Sequence, residues 1–84
     1  MYYVYIIQSI STGGWYIGSS GDPARRLYEH NRGTTRSTKP FIPYKLIYTE
    51  KYSTKDEALK REFLIKKSGR IRKELKTKIS GPIV

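Results

Sequence analysis

Apolar and polar positions change their period repeatedly along this chain, and each change marks an element. Residues 2–10, YYVYIIQSI, form a nearly unbroken β-branched and aromatic run, which favours a strand. Ser11-Thr12-Gly13-Gly14 is turn chemistry, and Trp15-Tyr16-Ile17-Gly18 resumes a short strand, so residues 2–18 read as a hairpin. A four-residue loop would pair Ile10 with Trp15. Alternation then puts Tyr3, Tyr5, Ile7, Tyr16 and Gly18 on one face. Tyr2, Val4, Ile6, Trp15 and Ile17 share the other, which is the better core.

Asp22-Pro23 starts a helix, with Asp as N-cap and Pro in the first helical position. It should run to about Asn31, with Gly33 as its stop. Ala24, Leu27, Tyr28 and Asn31 follow the spacing of a buried stripe, while Arg26 and His30, four apart, share an adjoining face. Residues 33–43, GTTRSTKPFIP, read as a hydroxyl-rich basic loop, and 44–50, YKLIYTE, as a third strand. Thr54-x-x-Glu57 is a capping-box signature for a helix over 54–67. Ile71, Leu75 and Ile79 then recur every four residues among Arg70, Arg72, Lys73, Lys76 and Lys78, predicting a basic helix over about 70–79. The order ββαβαα implies an α+β fold, a small three-stranded antiparallel sheet flanked by helices, in one domain over residues 1–84.

Charge narrows the function. Seventeen Lys and Arg against seven Asp and Glu give a formal net charge of +10 in 84 residues. A particle this basic suits polyanions, whose counterions are released on binding, so nucleic acid is the expected partner. The chain has no cysteine and one histidine, which excludes a disulfide framework and a thiolate zinc site. Its longest apolar-aromatic run, Tyr2 to Ile7, is far short of a membrane span, and the expected location is the cytoplasm.

Three residue types break the local rules. Ala58, Glu62 and Ile65 fall at i, i+4 and i+7, which puts a carboxylate on the apolar stripe of its helix. Such a group needs a partner: a cation, a hydrogen-bond donor or a metal. Arg26 or a neighbouring lysine would serve. The tyrosines are the second anomaly, eight in 84 residues. Tyr2, Tyr44 and Tyr52 suit half-buried packing with a wet hydroxyl. Tyr5 and Tyr16 fall on the face that lacks Trp15. His30, near a helix end, suits either a capping role or catalysis.

Taken in order, these residues resemble the GIY-YIG nuclease family, specifically its small stand-alone, UPF0213-like members. The first signature stands here as Tyr3-Val4-Tyr5 and the second as Tyr16-Ile17-Gly18, with the tyrosines at 5 and 16 eleven positions apart. The family's helix follows as Arg25-Arg26-Leu27-Tyr28-Glu29-His30-Asn31, and its glutamate as Glu62 in Lys60-Arg61-Glu62-Phe63-Leu64-Ile65-Lys66. The likeness covers about residues 2–67.

The resemblance implies an endonuclease that hydrolyses phosphodiester bonds, with DNA the expected substrate and DNA repair a natural setting. It implies Tyr16 as the general base, Tyr5 as its support, Arg26 as the group that grips the scissile phosphate, and His30 beside a reacting oxygen. Glu62 becomes the one protein ligand of Mg2+, for which Mn2+ can substitute. That assignment suits an ion that keeps most of its waters. Arg25, Arg36, Lys39, Arg70, Arg72 and Lys73 are candidate contacts to the nucleic-acid backbone, and a protein partner is expected to supply targeting. Larger members place an asparagine late in the domain, whereas Asn31 is the only asparagine here. The alternative function is a non-catalytic module that holds nucleic acid on a nuclease-like fold.

Overall fold

The computed structural model describes residues 1–80, so the last four residues of the expected 1–84 domain lie outside it. Strands β1 (Tyr2–Ser9), β2 (Trp15–Ser20) and β3 (Tyr44–Tyr52) form one antiparallel sheet in the order β2-β1-β3. Helices α1 (Pro23–Asn31), α2 (Lys55–Lys67) and α3 (Gly69–Ser80) complete the α+β architecture in the expected order ββαβαα.

The hairpin register differs from the expected one. Trp15 pairs with Gln8, not with Ile10. Buried Ser9 is the cause: its Oγ accepts from Thr12 N (3.2 Å) and donates to Phe41 O (2.7 Å), which ends β1 early. Its backbone N–H closes the turn on Gly14 O, and Gly13 supplies the positive φ of 77°. Because the shift is two residues, the expected division of faces survives. Val4, Ile6 and Ile17 pack with Ala58 and Ile65 of α2 and Leu75 of α3. Tyr5, Ile7 and Tyr44 form a smaller cluster on the opposite face, with Tyr16 and Leu27 against it. A bulge between Ile6 and Ile7 in the β1–β3 pairing leaves Ile47 as the extra residue of β3.

Local chemistry fixes the helix ends. Asp22 accepts from Arg25 N at the start of α1, and Thr54 with Glu57 completes the capping box of α2. The buried stripe expected on α1 is only partly present. His30 is fully buried and Leu27 half-buried, but Ala24 is exposed and Tyr28 is 62% exposed. Asn31 explains this orientation. Its Nδ2 donates to Tyr44 O (3.0 Å) and its Oδ1 accepts from Tyr44 N (2.7 Å), clamping the helix end to the first residue of β3. The one asparagine is therefore a fold residue. On α3, Leu75 is buried with Ile71 and Ile79 beside it, as the four-residue spacing implied.

Candidate active site

The site is built around the edge strand β2. Tyr5 lies opposite Gly18, and a Cβ on Gly18 would meet Tyr5 Oη at 2.6 Å and Cζ at 2.7 Å. Glycine is required there by the close approach of the phenol, which crosses the backbone of its partner strand. The Tyr5 and Tyr16 rings lie 6.4 Å apart, and His30 stands 4.7 Å from Tyr16 by ring centroids.

A chain of hydrogen bonds orients Tyr5. Thr38 Oγ1 donates to Thr35 O (3.3 Å), so it accepts from His30 Nδ1 at 2.9 Å. The proton therefore sits on Nδ1, and His30 Nε2 accepts from Tyr5 Oη at 3.1 Å. Burial pushes the His30 imidazolium down from the ordinary histidine value, helped by the Arg26 charge, with Glu29 opposing. A neutral imidazole is what this chain needs. Burial likewise pushes the Tyr5 phenol up, against the lowering effect of the neighbouring Arg26 guanidinium. Tyr5 keeps its proton and donates. His30 is fully buried, hydrogen-bonded to the equally buried Tyr5 and packed against the half-buried Tyr16.

Arg26 projects from α1 with its side chain about one-third exposed, and Nη1 donates to Glu29 Oε1 at 2.6 Å. It does not meet Glu62. That carboxylate comes from α2 and binds Ser19 Oγ through Oε1 (2.6 Å) and Lys66 Nζ through Oε2 (2.6 Å). Of the two partners expected for Glu62, a neighbouring lysine is the one present. Lys66 Nζ also stands 6.0 Å from the Tyr16 ring centroid. Glu62 is close enough to Tyr5 to raise the phenol's pKa slightly, which ties the carboxylate to the tyrosine side of the strand. Tyr5, Tyr16, Arg26 and Glu62 thus gather around one edge of the sheet.

Among the described residues no group of three or more His, Cys, Asp or Glu side chains could hold a metal ion. Glu62 alone still suits a hard cation. Each of its oxygens accepts one hydrogen bond and retains a second acceptor position, and its side chain is 17% exposed. One carboxylate with open lone pairs is an adequate protein ligand for an ion that keeps its water.

The expected backbone contacts divide. Arg25, Arg36, Lys39, Arg70 and Lys73 are exposed. Arg25 reaches Glu29 (3.5 Å) and Arg70 reaches Glu74 (3.2 Å), both loose pairs within a helix turn. Arg72 is committed elsewhere. Its Nη1 donates to Ile65 O (2.9 Å) and to Lys66 O, satisfying carbonyls at the end of α2. Sequence reasoning missed the contacts of Ser19 with Glu62 and of Thr38 with His30, which only the fold brings about. Lys66 was legible as a residue four positions after Glu62.

A second cluster was also missed. Glu50 of β3 accepts from Arg61 Nε (2.9 Å) and Nη2 (3.1 Å), from Tyr48 Oη (2.7 Å) and from Tyr52 Oη (2.8 Å). Burial raises the Glu50 pKa, but the Arg61 and tyrosine donors outweigh it and hold the carboxyl below its usual range. Tyr48 is pushed up to about 12 by burial and by Glu50. Tyr52 is therefore not the wet-ended packing residue expected, since its hydroxyl has a carboxylate partner.

Known proteins resemble this chain in sequence and in fold. The family model for the GIY-YIG catalytic domain matches residues 1–75. A UPF0213 protein of Halobacterium salinarum is 40% identical over 75 residues, covering 88% of this chain and 96% of that protein. A UPF0213 protein of Staphylococcus aureus is 46% identical over 66 residues, covering 77% of this chain and 79% of its own. The solution structure of a UPF0213 protein from Bacillus halodurans superposes with a TM-score of 0.56 at 32% identity, over 96% of this chain and 87% of that one.

Proposed function

The chain belongs to the GIY-YIG nuclease family, in its small UPF0213-like branch, and from that membership we propose that it is a divalent-metal-dependent endonuclease acting on DNA. The observation that carries this reading is the convergence of Tyr5, Tyr16, Arg26 and Glu62 at the β2 edge. A protein that only holds nucleic acid needs basic groups, but not a carboxylate beside them. The chain acts as one nuclease domain, and a protein partner supplies its targeting.

Hydrolysis requires that water attack phosphorus, that one P–O bond form as another breaks, and that the developing charge be neutralised. In this proposal the phenolate form of Tyr16 takes the proton of the attacking water, and the departing alkoxide takes a proton from solvent. Tyr5, held by His30 and pressed over Gly18, keeps Tyr16 and the water aligned through its own fixed position. Arg26 leaves Glu29 to grip the phosphoryl oxygens, an interaction that strengthens as charge grows in the transition state. Glu62 would hold the divalent cation. When bound, that cation supplies positive charge against the phosphoryl group and the departing alkoxide. Arg25, Arg36, Lys39, Arg70 and Lys73 would follow the backbone on either side. No helix among the described residues is long and apolar enough to cross a membrane.

The deciding experiment is cleavage of supercoiled plasmid and of a flapped oligonucleotide at low salt with Mg2+, Mn2+ or EDTA. Glu62→Gln and Arg26→Ala are measured beside the wild type. We expect nicking that EDTA abolishes and that both variants lose. Tight, salt-sensitive binding with no metal-dependent cutting by the wild type would replace the enzyme with a nucleic-acid-binding module.

A further inference from the structure

Both charged side chains assigned to the chemistry are held by a counterion from their own helix. Arg26 has Glu29 three residues on, and Glu62 has Lys66 four residues on. The second pair is the more informative. Lys66 Nζ takes Glu62 Oε2 at 2.6 Å and lies 6.0 Å from the Tyr16 ring centroid, so one ammonium holds the carboxylate and stands near the phenol. Ser19 Oγ holds the other oxygen from a strand position. The two partners differ in mobility: Ser19 is fixed by the sheet, whereas Lys66 sits on a flexible stem with a side chain 49% exposed in the last turn of its helix.

We propose that Lys66 is an exchangeable internal counterion: it occupies Glu62 in the free protein and moves to a backbone phosphate when nucleic acid arrives, which opens Glu62 Oε2 to a divalent cation. The proposal rests on the assignment of Glu62 as the metal ligand. A cation entering beside Oε2 faces a like charge within contact distance, so Lys66 and the metal compete. A phosphate offers the ammonium a new anionic partner and frees the carboxylate. Metal and nucleic acid then favour each other's binding, and by linkage the coupling is reciprocal. The free protein resists loading with metal until a substrate phosphate is present.

Lys67 supplies the control. It carries the same charge one residue further on, but its Nζ lies 5.6 Å from the Phe63 ring centroid, away from Glu62. Lys66→Met and Lys67→Met therefore lose equal charge from adjacent positions.

Mn2+ is titrated into wild type, Lys66→Met, Lys67→Met and Glu62→Gln while paramagnetic broadening of backbone amide signals is followed by NMR, which also reports folding. We expect broadening at Ser19 and Glu62, with a midpoint in Lys66→Met lower by roughly three- to tenfold, as removal of a partly exposed like charge implies. Lys67→Met should stay within about twofold of wild type, since its ammonium is not at the carboxylate. In EDTA, where nothing is cut, the salt dependence of oligonucleotide binding should lose roughly one unit of log–log slope in Lys66→Met, the share of one phosphate contact. Lys66→Gln should reproduce both effects if Lys66→Met is poorly folded. An unchanged Mn2+ midpoint or an unchanged slope overturns the exchange. Broadening at Ser19 that persists in Glu62→Gln overturns the metal assignment itself, and the proposal with it.

Discussion

Arg61 and Glu62 are neighbours in α2, yet they serve opposite edges of the sheet in opposite ways. Arg61 reaches β3 and closes a network in which Glu50 accepts four hydrogen bonds, two from the guanidinium and two from tyrosines. Glu62 reaches β2 and accepts two, one of them from a lysine half in solvent. The residue types are nearly the same on both sides: a carboxylate, a cation and a pair of tyrosines. The closed cluster has spent its lone pairs on the fold. The open one keeps acceptor positions and a half-exposed partner, which is what the proposed binding of an ion requires. Side-chain identity does not distinguish the two clusters; saturation does.

The sharpest way to break this contrast is to neutralise each carboxylate in turn. Glu62→Gln should lower cleavage at least 100-fold, on the order of losing one transition-state charge contact, while unfolding free energy moves by less than about 1 kcal/mol. Glu50→Gln should do the reverse. It leaves Arg61 half-buried without its anion, at a cost of about 3 kcal/mol in chemical denaturation, while the folded fraction still cuts. Turnover lost from folded Glu50→Gln would mean that the closed cluster also belongs to the site.

Gly18→Ala probes the open side from its backbone. The added methyl must push the Tyr5 ring, so we expect roughly 1–3 kcal/mol of lost stability and a larger fall in kcat than in substrate affinity. Equal thermal stability and activity to the wild type would show that Tyr5 tolerates displacement. A milder change, Arg61→Lys, replaces a two-pronged donor by a point charge and should cost about 1 kcal/mol without changing cleavage per folded molecule.

The smallest effect expected is one of pH. His30 has its pKa lowered by burial, so the unfolded chain binds the proton more tightly than the folded one. Stability is then full above the ordinary histidine value of about 6.5 and declines as pH falls below it. Denaturation midpoints measured from pH 8 to pH 5 should show that decline in wild type and its absence in His30→Gln. An identical decline in both would assign it to other groups. Glu50, with its pKa lowered, adds a further loss only at still lower pH, as its carboxylate is protonated.

Much of the fold could be read from local chemistry. The Asp22-Pro23 start, the Thr54–Glu57 capping box and the Ile71, Leu75, Ile79 spacing each name their element because the interactions span one helical turn. Alternation in the hairpin survived a wrong register because the error was an even number of residues. The α1 stripe was misread for a related reason. Periodicity gives the faces of a helix but not which face the rest of the molecule will cover, and the Asn31 clamp on Tyr44 decided that. Arg72 shows the same limit at the surface: a basic residue in a basic helix gives no local sign that it will be used on carbonyls of the preceding helix.

The sequence by itself determined the order of elements, the two faces of the hairpin, the excess of positive charge, and the set of residues that carries the family likeness. These depend on interactions between residues close in the chain, or on totals that folding does not change. Only the tertiary structure decided which carboxylate is saturated and which is open, that His30 is a buried neutral link between Thr38 and Tyr5, and that Gly18 is glycine because a phenol lies across it. Each of these depends on groups distant in sequence meeting at hydrogen-bond or van der Waals distance. Such short-range contacts are set by the packing of the sheet and its helices together, and no single segment specifies them.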